Sequence, residues 1–309
     1  MIVVAGEALI DLVFSDGVLR PHPGGGPYNT AIALGRLDVP VGFVGRISVD
    51  PFGRLLAACL AESGVDDRYL LRGDAPTPLA VVDDTGDGGH SFTFYLVGTA
   101  YADLTPSDLP ALDAAVVAVY AGTLALATDP PAAAIEALME REAPRRVIVV
   151  DPNVRPAVFG EPNEYRARFE RWAGFAHVIK LSDADSAWLY PELEPEAVLD
   201  GLLERGVRLA VLTRGADGAV AKSTLGRAEV AAPPVDVVDT VGAGDAFAAG
   251  LLRRLWETDR LAAEALGLLD DADLEDALRF ATAVATLCVG RSGADPPALA
   301  DVRSHLAAK

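Results

Sequence analysis

Short runs of Val, Ile, Leu and Ala recur along this chain and alternate with longer segments of helical periodicity. The chain opens with "MIVVAGEALIDLVF", and comparable runs occur at "VGFVG", "AAVVAVYAG", "RRVIVVDPN", "AHVIKLS" and "RLAVLTRG". Strands that are apolar on both faces and separated by helices are typical of a mainly parallel sheet covered on both sides. The pattern predicts an α/β fold, and no linker or internal repeat divides the 309 residues.

One segment departs from this alternation. "PLAVVDDTGDGGHSFTFYLVG" is predicted to form a strand, a glycine-rich turn and a second strand. A hairpin within an α/β pattern is either an addition at a sheet edge or a lid over a ligand, and the residues alone leave both interpretations open.

Charge and composition exclude some partners. A net charge of −19 argues against nucleic acid or an anionic membrane, because binding them needs a basic face. No apolar stretch approaches the ~20 residues of a membrane span, and no leader pattern is present, so a cytoplasmic location is predicted. The four histidines show no metal-ligand spacing. Cys59 and Cys288 are predicted to be buried free thiols in a reducing compartment.

The stretch "DTVGAGDAFAAGLL" places two acids around a glycine-spaced turn before an apolar helical run. Gly242, Gly244 and Asp245 would then lie at a helix N-terminus, where free amides and the helix dipole favour an anion. Asp245 could orient a hydroxyl and accept its proton. The alternative interpretation is a turn with an acidic helix cap and no chemistry.

Two other glycine-rich binding motifs are absent from the sequence. It contains no G-x-x-x-x-G-K-[ST] loop, and the first strand meets "GEALID" instead of a dinucleotide fingerprint. A second candidate is "PGGGPYNT", where glycines lead into a helix with Asn29 in its first turn. An amide beside bare backbone suits sugar hydroxyls, and Asp11 in "GEALID" could accept from them. A helix start and a solvated loop acid are the plainer interpretations.

Together, "GGGPYN…GRISVDPFG" and "DTVGAGDAF" resemble the two signatures of the ribokinase-like, or phosphofructokinase-B, carbohydrate kinases. The resemblance extends from "GEALID" to "GADPP". It implies one three-layer α/β/α domain over residues 1–309, with a mainly parallel central sheet and a small β-sheet lid formed by approximately 12–23 and 78–100. It also implies transfer of phosphate from ATP to a sugar hydroxyl.

The resemblance assigns roles residue by residue. Asp245 would be the catalytic base, with the amides of Gly242, Ala243 and Gly244 as the anion hole. The residues implied for the sugar are Asp11, Gly25, Gly26, Asn29, Tyr95 and Arg155, the last from "DPNVRP". Phe94 is the alternative to Tyr95 as the aromatic residue that packs on the sugar, and both could instead belong to the core of the lid. Those implied for the nucleotide are Lys180, Ser182, Asp185, Thr213, Gly215, Gly218 and Thr282.

Metal ions are also implied by the resemblance. Mg²⁺ would accompany ATP, and Asp185 stands in "LSDAD" where relatives carry glutamate, so its shorter side chain would reach the ion through water. A monovalent cation, K⁺, would bind backbone carbonyls near Asp239, Val241 and the 289–293 loop. Thr282 stands where ribokinases often have asparagine.

The choice of sugar depends on two positions. The loop "GGGPYN" lacks the lysine typical of ribokinases and looks like fructokinase loops, and Leu96 replaces a frequent arginine that a sugar acid would need. Fructose, converted to fructose 6-phosphate, is the predicted substrate. Sugar acids such as 2-keto-3-deoxygluconate, and ribose or nucleosides, are the alternatives. A kinase homologue that binds sugar or nucleotide without turnover is an alternative of another class. Relatives occur as lid-paired homodimers and as monomers, so the oligomeric state stays open.

Overall fold

The apolar runs form the strands of one large sheet. The computed structural model describes residues 1–15, 18–84, 90–156, 158–159 and 162–308; the expected hairpin turn at 85–89 lies outside them. The strands are β1 (Ile2–Ala5), β2 (Leu9–Ser15), β3 (Val18–Gly24), β4 (Val41–Ser48), β5 (Val65–Asp66), β6 (Leu70–Gly73), β7 (Leu79–Asp84), β8 (His90–Tyr95), β9 (Ala118–Gly122), β10 (Val147–Asp151), β11 (Val178–Ser182), β12 (Leu209–Thr213), β13 (Ala219–Ser223) and β14 (Arg227–Val230). The helices are α1 (Gly26–Arg36), α2 (Pro51–Glu62), α3 (Pro131–Glu142), α4 (Pro162–Ala173), α5 (Asp183–Leu189), α6 (Pro195–Glu204), α7 (Ala243–Glu257), α8 (Ala263–Leu266), α9 (Asp271–Val289) and α10 (Leu299–Ala307).

The large sheet has the strand order β14-β13-β12-β11-β10-β9-β1-β4-β5, and β6 also pairs with β4. Its strands run parallel from β12 to β4, whereas β13 and β14 are antiparallel. The carboxyl ends of the parallel strands meet at one edge, which is where an open α/β sheet offers a crevice for ligands.

Helices cover both faces of this sheet, so its central strands are buried on both sides. Alternate residues of β1 belong to different cores: Val4 belongs to the core that includes residues of α1, α7 and α9, and Val3 to the core that includes residues of α3, α4 and α6. The alternation follows from the two-residue period of a strand. The predicted fold class, with a mainly parallel sheet between helical layers, is confirmed.

A small separate sheet has the order β3-β2-β7-β8. Strands β2 and β7 are parallel, and the outer pairs are antiparallel. These strands come from nearly the same two segments that the sequence suggested for a lid. Because β2 follows β1 after only a short connection, the small sheet is held beside the carboxyl end of β1.

Other expectations concern the cysteines and membranes. Cys288 is buried, but Cys59 on α2 is only partly buried where it packs against the core, so the expectation of two buried thiols is wrong for Cys59. Among the described residues, none of the helices combines the length and the apolar character needed to cross a bilayer.

Candidate active site

A cleft of about 390 Å³ lies between the carboxyl edge of the large sheet and the small sheet. It is lined by Glu7, Leu9, Asp11, Gly25, Gly26, Asn29, Phe92, Phe94, Thr123, Leu124, Asn153, Arg155, Thr240, Val241, Gly242, Gly244 and Asp245. The lining contains both glycine motifs, because the N-termini of α1 and α7 converge there. The residues singled out at the two ends of the sequence therefore meet in one cavity.

The turn before α7 has the geometry of an anion site. Gly242 caps the helix at φ 77°, a left-handed conformation that favours glycine. In the described part of the chain, the amides of Gly242 and Gly244 meet no hydrogen-bond acceptor, whereas the amide of Ala243 donates a long 3.3 Å bond to the Thr240 carbonyl. The two glycine amides are thus available to an anion at a helix N-terminus.

Asp245 is held at the floor of the cleft by Asn29. The Asn29 side-chain amide donates to Asp245 Oδ2 at 3.0 Å, and both side chains are buried. Asp245 lies in the first turn of α7 and Asn29 in the first turn of α1. Because this bond fixes Oδ2, it also fixes the orientation of the second carboxylate oxygen, Oδ1, toward the cleft.

The cleft holds three carboxyl groups with raised pKa values. Burial raises the pKa of Asp245 to about 6, and the hydrogen bond from Asn29 opposes this rise. Burial, with the nearby charge of Asp245, raises the pKa of Asp11 to about 7, against the opposing effect of Arg155. Burial also raises the pKa of Glu7 to about 7. Carboxyl groups shifted in this way are a mark of functional sites.

The loop after β10 contributes one wall of the cleft. Arg155 Nη1 donates to Asn153 Oδ1 at 2.7 Å, and Asn153 Nδ2 lies 3.4 Å from Thr123 Oγ1. Asn153 and Thr123 have φ angles of 39° and 56°, which non-glycine residues adopt at a cost in free energy. A side chain at Gly26 would overlap Thr123 Oγ1, so the glycine is required for this close approach.

The small sheet contributes an aromatic wall that contains Phe94 but not Tyr95. Phe92 and Phe94 line the cleft and stack with their centroids 5.9 Å apart. Tyr95 lies on the opposite face of β8 and is 57% exposed, so the structure places it outside the cleft. Leu96 lies on the side of Phe92 and Phe94, but it lines an adjoining cavity instead of the cleft.

Ser182 and Asp185 form a capping box at the start of α5. Asp185 Oδ2 accepts from the Ser182 amide and hydroxyl at 2.8 and 2.7 Å, and Oδ1 accepts from the Val154 amide at 2.6 Å. With both oxygens bonded and 4% of the residue exposed, Asp185 does not fit the expected contact with a metal-bound water. No group of three or more potential metal ligands of the His, Cys, Asp or Glu type occurs in the described residues.

Lys180 lies beneath the anion turn and not in a nucleotide cavity. Its ammonium forms a buried ion pair with Asp151 at 2.8 Å, and the Tyr120 hydroxyl donates to the same carboxylate at 3.0 Å. A Cβ atom built on Gly244 would lie 3.7 Å from Lys180 Nζ. The charge of Lys180 thus lies close to the turn, and its expected contact with the nucleotide stays a prediction.

A second cavity, of about 480 Å³, is the candidate nucleotide site. Thr282 on α9 lines it, together with the segment from Glu229 to Pro233, and Thr282 Oγ1 is buried without a hydrogen-bond partner in the described chain. Thr213, Gly215 and Gly218 lie at the end of β12 and in the following turn, where Gly218 packs directly on Val230. None of the three lines the cavity, and Gly218 alone is shown to contact its wall.

Asp239 connects the turn before α7 to the loop after α9. Its Oδ1 accepts from the Val241 amide at 3.0 Å, and its Oδ2 accepts from the Gly293 amide at 2.9 Å. The Val238 amide also donates to the Val289 carbonyl at 2.8 Å. The structure therefore brings together the two segments on which a carbonyl site for a monovalent cation was expected.

Glu7, Thr123 and Asn153 line the cleft but were not singled out in the sequence. Glu7 Oε2 accepts from the Ala125 amide at 2.9 Å and so secures the 3₁₀ turn at Thr123–Leu126. All three follow the carboxyl ends of neighbouring parallel strands, β1, β9 and β10. That shared position was the available signal, because residues at these ends meet at one edge of the sheet.

A carboxylate beside a helix N-terminus, at the floor of a polar cleft in an α/β sheet, suits phosphate transfer to the hydroxyl of a small molecule. The model of the pfkB family carbohydrate kinases matches residues 1–301. The chain belongs to this family and transfers phosphate to a sugar hydroxyl.

Individual relatives of this chain are named as fructokinases. The fructokinase of Rhizobium leguminosarum bv. trifolii is 37% identical over 281 residues, covering 89% of this chain and 86% of the relative. The fructokinase of Xylella fastidiosa with bound ATP superposes with a TM-score of 0.90 at 29% identity, covering 99% of this chain and 98% of that one. A Vibrio cholerae fructokinase double mutant, with fructose, ADP and potassium bound, has a TM-score of 0.86 at 30% identity, covering 98% and 97%.

Proposed function

We propose that this chain is an ATP-dependent fructokinase that forms fructose 6-phosphate. The observation that carries the proposal is the Asn29–Asp245 pair beside the free amides of Gly242 and Gly244. It places a hydroxyl-orienting carboxylate next to an anion site, which is the arrangement that phosphate transfer to an alcohol needs.

The charge of the cleft favours a neutral sugar. Glu7, Asp11 and Asp245 face it, and Arg155 is the one cationic side chain among its lining residues in the described chain. A substrate carboxylate would meet more negative than positive charge, and leaving it unpaired is costly. Sugar hydroxyls, in contrast, can donate to the carboxylates and accept from the Asn29 and Arg155 nitrogens. The relatives named as fructokinases support fructose among the neutral sugars.

In the proposed reaction, Asp245 accepts the proton of the attacking sugar hydroxyl as the oxygen bonds to the γ-phosphorus of ATP. The bond from that phosphorus to the ADP oxygen breaks, and ADP leaves. The amides of Gly242 and Gly244 stabilise the negative charge on the transferring group. Since this transition state is loose, alignment and charge stabilisation contribute more than the strength of the base.

ATP would bind with its adenine at the cavity lined by Thr282 and its phosphates toward the Gly242 turn. Mg²⁺ would enter as part of the MgATP substrate, since the described residues offer no cluster of ligands for it. K⁺ is proposed near Asp239, supported by the potassium-bound relative and by the contact between Asp239 and Gly293. The single-domain organisation with a moving lid, the cytoplasmic location and a homodimer stay predictions.

The test is ADP release with MgATP and KCl over a panel of acceptors: fructose, 2-keto-3-deoxygluconate, ribose, adenosine and fructose 6-phosphate. Each is assayed beside Asp245→Ala. We expect turnover with fructose and none with the variant. Preference for 2-keto-3-deoxygluconate would contradict the argument from charge. If the protein binds ATP but releases ADP with none of the acceptors, a binding protein would be favoured over an enzyme.

A further inference from the structure

Asp185 connects two parts of the site that are 31 residues apart in the sequence. It lies in the first turn of α5, where one carboxylate oxygen closes the capping box with Ser182. The other oxygen accepts a 2.6 Å hydrogen bond from the backbone amide of Val154, in the loop after β10. The carboxylate therefore holds that loop against the start of α5.

Val154 stands between two residues that line the sugar cleft. Asn153, on one side, adopts a left-handed conformation, and Arg155, on the other, donates to the Asn153 side chain. Val154 itself is buried, so its amide has no water to replace the carboxylate. Without Asp185, the fixed point that keeps Asn153 strained and Arg155 aimed into the cleft is lost.

The same bonds leave Asp185 unsuited to a metal. Both oxygens already accept from protein donors at 2.6 to 2.8 Å, and the residue is buried. A glutamate at this position would be one methylene longer and would carry its carboxylate beyond the Val154 amide. The aspartate thus fits the loop, and it does not fit the contact with metal or phosphate expected from the sequence.

We infer that Asp185 is a positioning residue for the sugar site, fixing the Val154 amide so that Asn153 and Arg155 face the substrate. The inference rests on the proposed function, and it assigns Asp185 to sugar affinity instead of to the metal requirement. The two roles make opposite predictions when metal and nucleotide are both absent.

The experiment measures fructose binding by isothermal titration calorimetry in EDTA, without nucleotide, for the wild type, Asp185→Ala and Asp185→Glu. We expect the dissociation constant for fructose to rise at least tenfold in D185A and at least threefold in D185E. The Mg²⁺ concentration for half-maximal activity, at fixed ATP, should stay within twofold of the wild type in D185A. Asp270→Ala is the matched control, because it removes an exposed carboxylate that caps α9 far from the cleft.

A D185A protein that binds fructose within twofold of the wild type in EDTA, but needs more Mg²⁺, would overturn the inference. If D185A lacks the wild-type circular dichroism spectrum, D185E carries the test, and unchanged fructose binding by D185E overturns the inference. The wild type reports separately on the proposed function: where it phosphorylates another sugar from the panel, the comparison is made with that sugar.

Discussion

The side-chain amide of Asn29 donates a 3.0 Å hydrogen bond to Asp245 Oδ2, across 216 positions of sequence. The bond joins the first turn of α1 to the first turn of α7, so the two glycine motifs form one site. Burial raises the pKa of Asp245, and the hydrogen bond from Asn29 lowers it. Orientation and ionisation of the proposed base therefore depend on the same contact.

Asp245→Asn should lower kcat by about 10²- to 10⁴-fold, because the amide cannot accept the hydroxyl proton. Fructose affinity should change little, since the side chain keeps its shape. Steady-state kinetics and calorimetry check this, with Asp270→Asn as the control at a distant helix cap. Turnover close to that of the wild type would remove Asp245 from the role of base.

Asn29→Ala should lower kcat/KM by roughly 10- to 100-fold, the effect expected from losing a hydrogen bond to a charged group. The acidic limb of the pH profile should also move to higher pH, because the amide normally lowers the pKa of Asp245. Profiles of kcat/KM between pH 5 and 9 measure both effects. A decrease in rate with the limb unmoved would limit Asn29 to sugar contact.

Arg155→Met should shift the acidic limb upward as well. The guanidinium lowers the pKa of Asp11 and of Asp245, so its removal makes both carboxyl groups harder to ionise. In the wild type the limb should lie near pH 6 to 7, as a joint property of the interacting groups. Arg303→Met, at an exposed arginine, is the control. If the acidic limb lies at the same pH in Arg155→Met and Arg303→Met, Arg155 does not lower the pKa values of the two carboxyl groups.

Glu7→Gln should change how stability depends on pH. Burial raises the pKa of Glu7 from 4.5 to about 7 in the folded protein, so folding favours the protonated form. The wild type then loses stability as the pH rises from 4.5 through 7, by up to about 3 kcal/mol from this group. The variant lacks that loss.

Urea unfolding at pH 5 and pH 8 measures the effect of Glu7→Gln. The free energy of unfolding of the variant, relative to the wild type, should increase between these two values. Glu204→Gln, at an exposed residue of α6, should show no such increase. A relative stability independent of pH would mean that Glu7 is ionised throughout.

The buried strands were predictable because residues apolar on both faces fit only a sheet covered on both sides. Which face of β8 meets the cleft was not predictable. Its alternation separates Tyr95 from Phe92 and Phe94, but which set meets the cleft depends on the register with β7, and a shift of one residue would exchange them. The alternation therefore predicted the strand, but it could not decide whether Phe94 or Tyr95 faces the cleft.

The site was predictable where a glycine pattern fixes the backbone, as at Gly242 and Asp245. It was not predictable where the decisive contact is remote. The carboxylate of Asp185 meets an amide 31 positions earlier, and one methylene decides which partner it reaches. For Thr123 the only available signal was its position directly after a predicted strand, because the residue type does not indicate the left-handed backbone conformation at the end of β9.

Strand β1 is made first but lies inside the large sheet, between β4 and β9. During synthesis, its partner β4 is available early, whereas β9 begins only at Ala118. At usual elongation rates, one edge of a fully apolar strand waits on the order of ten seconds for its neighbour. An unpaired apolar edge invites association with other chains. Conditions that slow translation or occupy chaperones should therefore decrease the yield of active enzyme more than the stability of the finished protein suggests.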